Sequence, residues 1–213
     1  MLVRDVMTKN PITIDVKASI REANDLMQKN NINKLPVLDK SGSLVGIITA
    51  NDLQRAAPSE ATTLDMYELS YLLSKLTVEK TMVKKVFTVQ ETETVEAAAK
   101  IMSDGDFGCL PVMKDKLLVG IITDSDLFKM FINMFNYDFP SVRAVVTMHD
   151  AAGALGKFTQ KIADANGNII TCITTDAEKE GDRKVTIKVA GIKLDAFYSI
   201  CESCGKVEDI REV

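Results

Sequence analysis

The sequence has a single histidine, His149, and it has no glycine-rich phosphate loop, dinucleotide-binding fingerprint or nucleophile elbow. A nucleophilic enzyme needs its nucleophile beside an activating base, and a structural zinc site usually needs four Cys or His ligands. The only suggestive cysteine spacing, Cys201-x-x-Cys204, lacks both the further zinc ligands and the thioredoxin-like surroundings of a redox pair. We therefore expect a binding protein rather than an enzyme, with no bound metal.

Long apolar runs and clusters of one charge are also missing. The 213 residues include 26 Lys and Arg against 30 Asp and Glu, a formal net charge of −4, with both signs interspersed. A protein that binds nucleic acid usually shows a basic run, and a membrane span needs about 20 consecutive apolar residues. The first residues also lack the layout of a signal peptide. We expect a cytoplasmic protein with reduced cysteines and with neither nucleic-acid nor membrane partners.

What the sequence does contain is an internal repeat. The heptad Gly46-Ile47-Ile48-Thr49-Ala50-Asn51-Asp52 recurs as Gly120-Ile121-Ile122-Thr123-Asp124-Ser125-Asp126. The match continues backwards at a shift of 75 residues, and one residue is lost in the turn between Asp39 and Leu44, so that the heptads are 74 residues apart. A period of this length, longer than that of solenoid repeats, predicts two copies of one small α/β unit.

Each heptad ends a short apolar, β-branched run that is typical of a buried strand. Thr49-x-x-Asp52 and Thr123-x-x-Asp126 both fit a capping box at the start of a following helix. The same groups suit a nucleotide, because a strand-to-helix turn presents free N–H groups to phosphate and a carboxylate accepts hydrogen bonds from both ribose hydroxyls. The residues alone leave open whether the pairs are helix caps only or also bind a ligand.

The combined pattern resembles the cystathionine-β-synthase (CBS) motif in tandem. The early Val-x-x-Val-Met-Thr, the central Leu35-Pro36-Val37 and the terminal Gly-Ile-Ile-Thr-x-x-Asp-Leu all match that motif, over about residues 1–130. The resemblance implies a pseudo-twofold pair of repeats that binds an adenosine nucleotide (AMP, ADP or ATP). It also implies that Thr49 and Thr123 contact phosphate and that Asp52 and Asp126 hold ribose hydroxyls.

Lys34 distinguishes the two expected sites. It stands just before a predicted strand, where it would either meet a phosphate or remain a solvated edge charge. The corresponding position of the second copy is Cys109. The two sites are therefore not equivalent, and we expect them to differ in affinity.

Composition changes suggest four segments. Residues 1–57 form the first CBS repeat, and residues 58–77 form a linker whose amphipathic helix, over 64–76, buries one face within the chain or against a second copy. Residues 78–139 form the second repeat with a connecting helix, and Pro140 opens a separate domain over 140–213. The apolar stretch over 128–139 predicts a helix packed between units or at a dimer seam, with a cofactor slot as the alternative.

The C-terminal segment has a different pattern, in the order βαββαβ. We expect strands over 142–147, 168–173, 184–189 and 207–213, and helices over 152–165 and 194–203, with Asn166-Gly167 ending the first helix. That order predicts a ferredoxin-like sandwich of four antiparallel strands with two helices on one face. The fold class is thus α/β for the repeats and α+β for the last domain.

Two stretches of this segment are similar to the ACT domain, a ferredoxin-like module that often binds amino acids. They are Met148-His149-Asp150-Ala151-Ala152-Gly153-Ala154-Leu155 and Gly167-Asn168-Ile169. The resemblance implies a ligand between paired domains, with Asp150, Gly153 and Asn168 as the candidate contacts. A carboxylate at position 150 would attract an α-ammonium group and repel a carboxylate. The alternative is an ACT domain that serves only dimerisation.

A CBS pair followed by an ACT domain resembles the bacterial acetoin-utilisation accessory family. We expect a non-enzymatic sensor that forms a homodimer, binds an adenosine nucleotide and acts on a partner, for which a regulated enzyme is the candidate. One alternative is an architectural dimer or partner scaffold with vestigial ligand sites. Another is an enzyme subunit without its catalytic chain.

Overall fold

A computed structural model describes residues 1–56 and 76–213, and the chain divides into two compact units. Unit 1 comprises Met1–Phe128 and unit 2 comprises Lys129–Val213. The amphipathic helix expected over 64–76 lies, apart from its last residue, outside the described residues. Within residues 1–56 and 76–213, no helix is long and apolar enough to cross a membrane.

Unit 1 contains two similar successions of elements, one for each sequence repeat. The first comprises α1 (Val3–Val6), β1 (Thr8–Lys9), β2 (Ile14–Asp15), α2 (Ile20–Asn30), β3 (Lys34–Leu38), β4 (Leu44–Thr49) and α3 (Ala50–Ala56). The second comprises α4 (Val78–Thr81), β5 (Val89–Gln90), α5 (Val95–Gly105), β6 (Cys109–Lys114), β7 (Leu117–Thr123) and α6 (Asp124–Met134), whose residues from Lys129 onward belong to unit 2. The duplication of one small α/β unit is confirmed.

Local sequence sets the ends of the two long helices in unit 1. Helix α2 begins with a reciprocal cap in which Glu22 N donates to Ser19 Oγ at 3.1 Å and Ser19 N donates to Glu22 Oε2 at 2.7 Å. It ends at Asn31, which adopts φ +52°, and Asp106 ends α5 at the same angle. Asn and Asp tolerate this left-handed conformation better than most residues. The two copies therefore start their central strands at matching points.

The strands form two sheets, with orders β2-β3-β4 and β1-β7-β6-β5. Each sheet contains an antiparallel hairpin, formed by β3 and β4 in one sheet and by β6 and β7 in the other. A short strand pairs in parallel with the first strand of each hairpin, β2 with β3 and β5 with β6. Strand β1 belongs to the first sequence repeat, yet it pairs with β7 of the second, with Thr8 opposite Ile121.

The opposite exchange occurs on the other sheet. Ile47 N donates to Val83 O at 3.0 Å and Val83 N donates to Ile47 O at 2.9 Å, so the segment that opens the second repeat lies along β4. Val78 and Met82 from that segment are buried in the core of the first half, among residues that include Ile20, Leu35 and Ile48. Each half of unit 1 is thus completed by the first residues of the other repeat, which gives the pair its pseudo-twofold symmetry.

The glycine of each heptad makes room for this exchange. A Cβ atom on Gly46 would lie 2.3 Å from Met82 Sδ and 3.1 Å from Val83 O. A Cβ atom on Gly120 would lie 2.3 Å from Met7 Sδ and 3.1 Å from Thr8 O. Only a residue without a side chain leaves space for the incoming segment at these two positions.

Unit 2 is an antiparallel four-stranded sheet with two helices on one face. The elements are β8 (Val142–His149), α7 (Ala154–Asp164), β9 (Asn168–Asp176), β10 (Asp182–Ala190), α8 (Leu194–Glu202) and β11 (Lys206–Glu212), with sheet order β11-β8-β10-β9. The expected βαββαβ order and ferredoxin-like topology are confirmed. Helix α7 begins two residues later than expected, because Gly153 takes φ +80° as the residue that caps it.

Strict alternation along β8 and β10 builds the core of unit 2. Their inward side chains pack against the fully buried rings and aliphatic groups of the helices, which include Phe158, Ile162, Phe197 and Cys201. On the other face, Lys188 and its cross-strand neighbour Thr171 are also buried. Lys188 Nζ donates to Asn136 O at 2.7 Å and Thr171 Oγ1 donates to Met134 O at 3.0 Å. The last residue of α6 and the chain that follows it are therefore held on that face by hydrogen bonds to their carbonyl groups.

Candidate functional site

The two strand-to-helix turns of unit 1 have the same geometry. Asp52 Oδ2 accepts hydrogen bonds from Thr49 N at 2.9 Å and from Thr49 Oγ1 at 2.7 Å, and Asp52 N lies 3.3 Å from Thr49 Oγ1. The corresponding bonds between Thr123 and Asp126 have the same three lengths. Both pairs are reciprocal capping boxes, so the capping interpretation is confirmed.

The capping hydrogen bonds use only one oxygen, Oδ2, of each carboxylate. Within the described residues, Oδ1 of Asp52 and Oδ1 of Asp126 accept no hydrogen bond, and both side chains are only partly buried. An ionised carboxylate has acceptor capacity left after two bonds to one oxygen. The cap and a ligand contact are thus compatible in the same residue.

Lys34 lies between the two repeats. Its Nζ donates to Gly108 O and pairs with Asp124 Oδ1 at 3.1 Å, and 23% of its side chain is exposed. The expectation of a solvated edge charge is wrong, because the ammonium group is directed at the second repeat rather than at solvent. Asp124, which stands where the first copy has Ala50, has its charge balanced by this pair.

The equivalent positions, with the roles of the two repeats exchanged, hold no ion pair. Cys109 matches Lys34, and Ala50 matches Asp124. Burial raises the pKa of the Cys109 thiol to about 11, with the positive charge of Lys34 acting in the opposite direction. The Lys34–Asp124 contact was not predicted from the sequence. The signal for it was that the two repeats differ at both positions, since Lys34 corresponds to Cys109 and Asp124 corresponds to Ala50.

An aromatic pair also distinguishes the second repeat. The rings of Phe87 and Phe107 are stacked with centroids 4.7 Å apart, and Lys85 Nζ lies 5.6 Å from the Phe87 centroid. The matching residues of the first copy are Ile12 and Ile32. Phe107 directly precedes Gly108, whose carbonyl group receives Lys34, so this aromatic surface lies beside the contact between the repeats. The periodicity of the sequence gave no indication of it.

In unit 2, the carboxylate of Asp150 forms an ion pair with Arg183. Arg183 Nε donates to Asp150 Oδ2 at 3.0 Å, and Arg183 Nη1 lies 3.8 Å from Asp176 Oδ1. Asp150 N donates to Gly181 O at 2.9 Å, which fixes the start of the turn that leads to Gly153. The guanidinium group partly offsets the repulsion that Asp150 alone would exert on a ligand carboxylate.

Asn168 lies far from Asp150 within one chain. His149 is opposite Asp182 at one end of β10, whereas Asn168 is opposite Ala190 at the other end. Eight residue steps along a strand cover about 27 Å. The structure therefore brings Asp150 and Gly153 to one end of the sheet and Asn168 to the opposite end.

The cysteine pair of unit 2 has a packing role. Cys201 is fully buried, and burial raises the pKa of its thiol to about 12. Cys204 follows at the end of α8, where its N–H donates to Cys201 O at 3.0 Å. Across residues 1–56 and 76–213, no three His, Cys, Asp or Glu side chains are close enough together to hold a metal ion.

Comparison with known proteins locates a family match in unit 1. The family model described as the CBS domain matches residues 3–59 and 78–133, one match for each repeat. L-aspartate semialdehyde sulfurtransferase of Methanocaldococcus jannaschii is 37% identical over 131 residues, which are 61% of this chain and 23% of that protein. The chain thus spans under a quarter of the length of that relative.

Two solved structures have the same arrangement. The CBS domain pair of protein MJ0100, in complex with 5′-methylthioadenosine and S-adenosyl-L-methionine, is 36% identical, with a TM-score of 0.53, and the match covers 62% of this chain and 97% of that one. A candidate acetoin utilization protein (AcuB) from Vibrio cholerae is 32% identical, with a TM-score of 0.54, and the match covers 64% of this chain and 93% of that one.

Proposed function

This chain belongs to the CBS domain family, and from that premise we propose that it is a non-enzymatic sensor that binds an adenosine compound between its repeats. The observation that carries the proposal is the duplicated Thr–Asp turn. Among residues 1–56 and 76–213, the second oxygen of each carboxylate accepts no hydrogen bond, at residues where the resemblance to tandem CBS pairs expects ribose contacts. Thr49 and Thr123 would lie against phosphate, and Asp52 and Asp126 would accept the ribose hydroxyls. AMP, ADP and ATP are the nucleotides expected.

The neighbour MJ0100 supports this class of ligand. Its CBS pair is in complex with two adenosine compounds, both of which contain a ribose with free hydroxyls. The aromatic surface of Phe87 and Phe107 is suited to an adenine ring, because aromatic side chains stack on planar bases. The match covers only 23% of the sulfurtransferase, and its activity is not proposed for this chain.

Calorimetric titration of AMP, ATP and S-adenosylmethionine into the full chain tests the sensor. The double variant Asp52→Asn and Asp126→Asn keeps a capping oxygen and removes the charge that ribose would contact. Hydrogen bonds to charged groups contribute about 1.5–3 kcal/mol, so affinity should fall at least roughly tenfold. Glu22→Gln is the matched control, since Glu22 is the capping-box partner of Ser19 in α2. Equal binding by the double variant and the control would refute the ligand role.

For residues 140–213 we propose an ACT domain that needs a second copy to complete a ligand site. Asp150 and Gly153 lie at one end of the sheet and Asn168 at the other, so a single chain does not assemble the three. In a homodimer, the loop of one chain and the start of β9 of its partner would form the site for an amino acid. Titration of the twenty amino acids, repeated on Asn168→Ala, tests the site, and dimerisation without any binding would support the purely structural alternative.

A second candidate function is that of an architectural dimer or a partner scaffold, and the exposed face of α6 favours it. No residue of α6 is buried, and Phe128, Phe131, Ile132 and Met134 are each about half exposed or more. Large apolar faces of this kind mark interaction surfaces. A second copy of the chain is the proposed occupant, and a regulated enzyme, as in acetoin utilisation, is the proposed partner of the dimer. Light scattering of Phe131→Asp tests this, with a monomer as the expected result.

A further inference from the structure

A cavity in unit 1 lies where the start of β4 meets the turn between β6 and β7. It has a volume of about 420 Å³, and its lining residues come from 43–45, 84–90 and 113–116. The first of these segments belongs to the first sequence repeat and the other two belong to the second. Small-molecule sites commonly have volumes of about 300–1,000 Å³, so the cavity is large enough for a small ligand.

This cavity is distinct from the candidate adenosine site. Alternate residues of the segment over 84–90 line it, namely Lys84, Val86, Thr88 and Gln90. Between them, Lys85 lies over the ring of Phe87, and that ring stacks on Phe107. Thr49, Asp52, Thr123 and Asp126 are not among the described residues that line the cavity. A ligand in it would therefore leave the Thr–Asp turns and the aromatic surface unoccupied.

Part of the cavity lining is apolar. Four aliphatic or thioether side chains contribute to it, those of Leu44, Val45, Val86 and Met113. Met113 is buried, with 9% of its surface exposed, and the other three are half-buried. Each methylene group that a ligand removes from water against such a surface raises its affinity about threefold to fourfold. The lining thus favours a ligand with an aliphatic portion.

The charged residues of the lining favour an anion. Lys84 and Lys116 line the cavity, and among residues 1–56 and 76–213 neither has an ion-pair partner within 4.0 Å. The neighbouring Lys114, by contrast, pairs with Glu91 at 3.5 Å. Asp115 is the one acidic residue among the described residues of the lining, which leaves a net charge of +1 there in a chain of net charge −4. A concave surface with excess positive charge attracts anions.

We propose that this cavity binds a small aliphatic monocarboxylate. The carboxylate lies against Lys84 and Lys116, and the aliphatic chain contacts the four apolar side chains of the lining. Thr88 and Gln90 supply further hydrogen-bond donors. A ligand with a second negative charge fits less well, because Asp115 opposes it. The site is separate from the proposed adenosine sensor and gives the CBS pair a second class of ligand.

Ligand-observed NMR titrations of the full chain with butyrate, hexanoate and octanoate test the proposal. Affinity should rise about tenfold for each added pair of methylene groups, since each methylene contributes about threefold to fourfold. Hexan-1-ol and hexylamine are the uncharged and the cationic analogues of hexanoate, and both should bind more weakly than hexanoate. A series in which affinity does not change with chain length would refute the apolar part of the site.

Three substitutions test the charges. Lys84→Met and Lys116→Met keep an apolar stem, and each should weaken hexanoate about threefold to fivefold at low salt, as is typical of an exposed ion pair. Asp115→Asn should strengthen it, because the opposing charge is removed. Lys9→Met is the matched control, since Lys9 is the counterpart of Lys84 in the first repeat and is not among the described residues of the lining. Circular dichroism checks that each variant is folded.

Every other outcome contradicts the site. Equal weakening by Lys9→Met and Lys84→Met would show attraction to the charge of the whole chain rather than binding in the cavity. Equal affinity for hexanoate, hexan-1-ol and hexylamine would show binding to exposed apolar surface without selection for an anion. Absence of octanoate binding by the unchanged chain would refute the proposal outright. None of these results bears on the adenosine sensor, which the titration of nucleotides tests separately.

Discussion

Replacing Gly46 with Ala tests the exchange of segments that holds unit 1 together. The added Cβ would lie 2.3 Å from Met82 Sδ, whereas ordinary contacts are about 3.4–4 Å, so the thioether must move by more than 1 Å. Methionine is flexible enough to give way in part, but Val83 O, at 3.1 Å, belongs to the backbone that pairs with Ile47. Overpacking of a buried contact costs about 1–3 kcal/mol. A midpoint of thermal unfolding lower by roughly 3–12 °C follows for a unit of this size.

Scanning calorimetry of the full chain measures the change, and two further variants make the test specific. Gly156→Ala is the control, because a Cβ there meets nothing within 4 Å and α7 should gain up to about 1 kcal/mol from a better helix former. The pair Gly46→Ala and Met82→Ala should lose less stability than the sum of the single variants, since the second change removes the clashing sulfur. An unchanged melting temperature for Gly46→Ala, or strictly additive losses, would refute this account of the glycine.

Three further predictions concern single contacts. Asp124→Ala and Lys34→Met should show a coupling of about 0.5–1 kcal/mol in a double-mutant cycle of urea unfolding, because the half-buried pair joins the repeats; additivity would contradict the contact. Alkylation at pH 8, followed by peptide mass spectrometry, should label Cys109 far more slowly than Cys204, because burial keeps the pKa of Cys109 near 11 and its thiol protonated; Lys34→Met should slow it further, and faster labelling would be inconsistent with the lost charge. Thr171→Val with Lys188→Met should speed hydrogen exchange at residues 135–139 about tenfold, since both carbonyl contacts of that segment are lost, and unchanged protection would show that other contacts hold it.

The repeat and the topology of unit 2 could be predicted because both depend on local patterns. Strand runs ending in Thr, the Ser19 and Thr49 caps and the spacing of turns are set within a few residues, and the structure has each of them. The exchange of β1 could not be predicted in this way, because two-residue strands have no period and their partner is chosen by packing at a distance. The same holds for Lys34, whose charge is balanced by a residue 90 positions away.

The residues of the candidate sites also differ in whether local sequence was enough to predict them. Thr49, Asp52, Thr123 and Asp126 were found by their spacing, and their ligand contacts remain predictions. Asp150 and Asn168 lie at opposite ends of the sheet, because β8 and β9 both pair antiparallel with β10 and therefore run parallel to each other, so that α7 must carry the chain back from the end of β8 to the start of β9.

The two exchanged segments occupy equivalent positions in the structure, but the strands with which they pair are synthesised at different times. Val83 meets Ile47, which is 36 positions earlier, whereas Thr8 must wait for Ile121, which is 113 positions later. A ribosome therefore delivers the partner of β4 while unit 1 is still incomplete, and the partner of β1 only when β7 has emerged. Contacts of high sequence separation form slowly because the closing of a long loop costs entropy. Of the two exchanges, the pairing of β1 with β7 is therefore the one that we expect to close last.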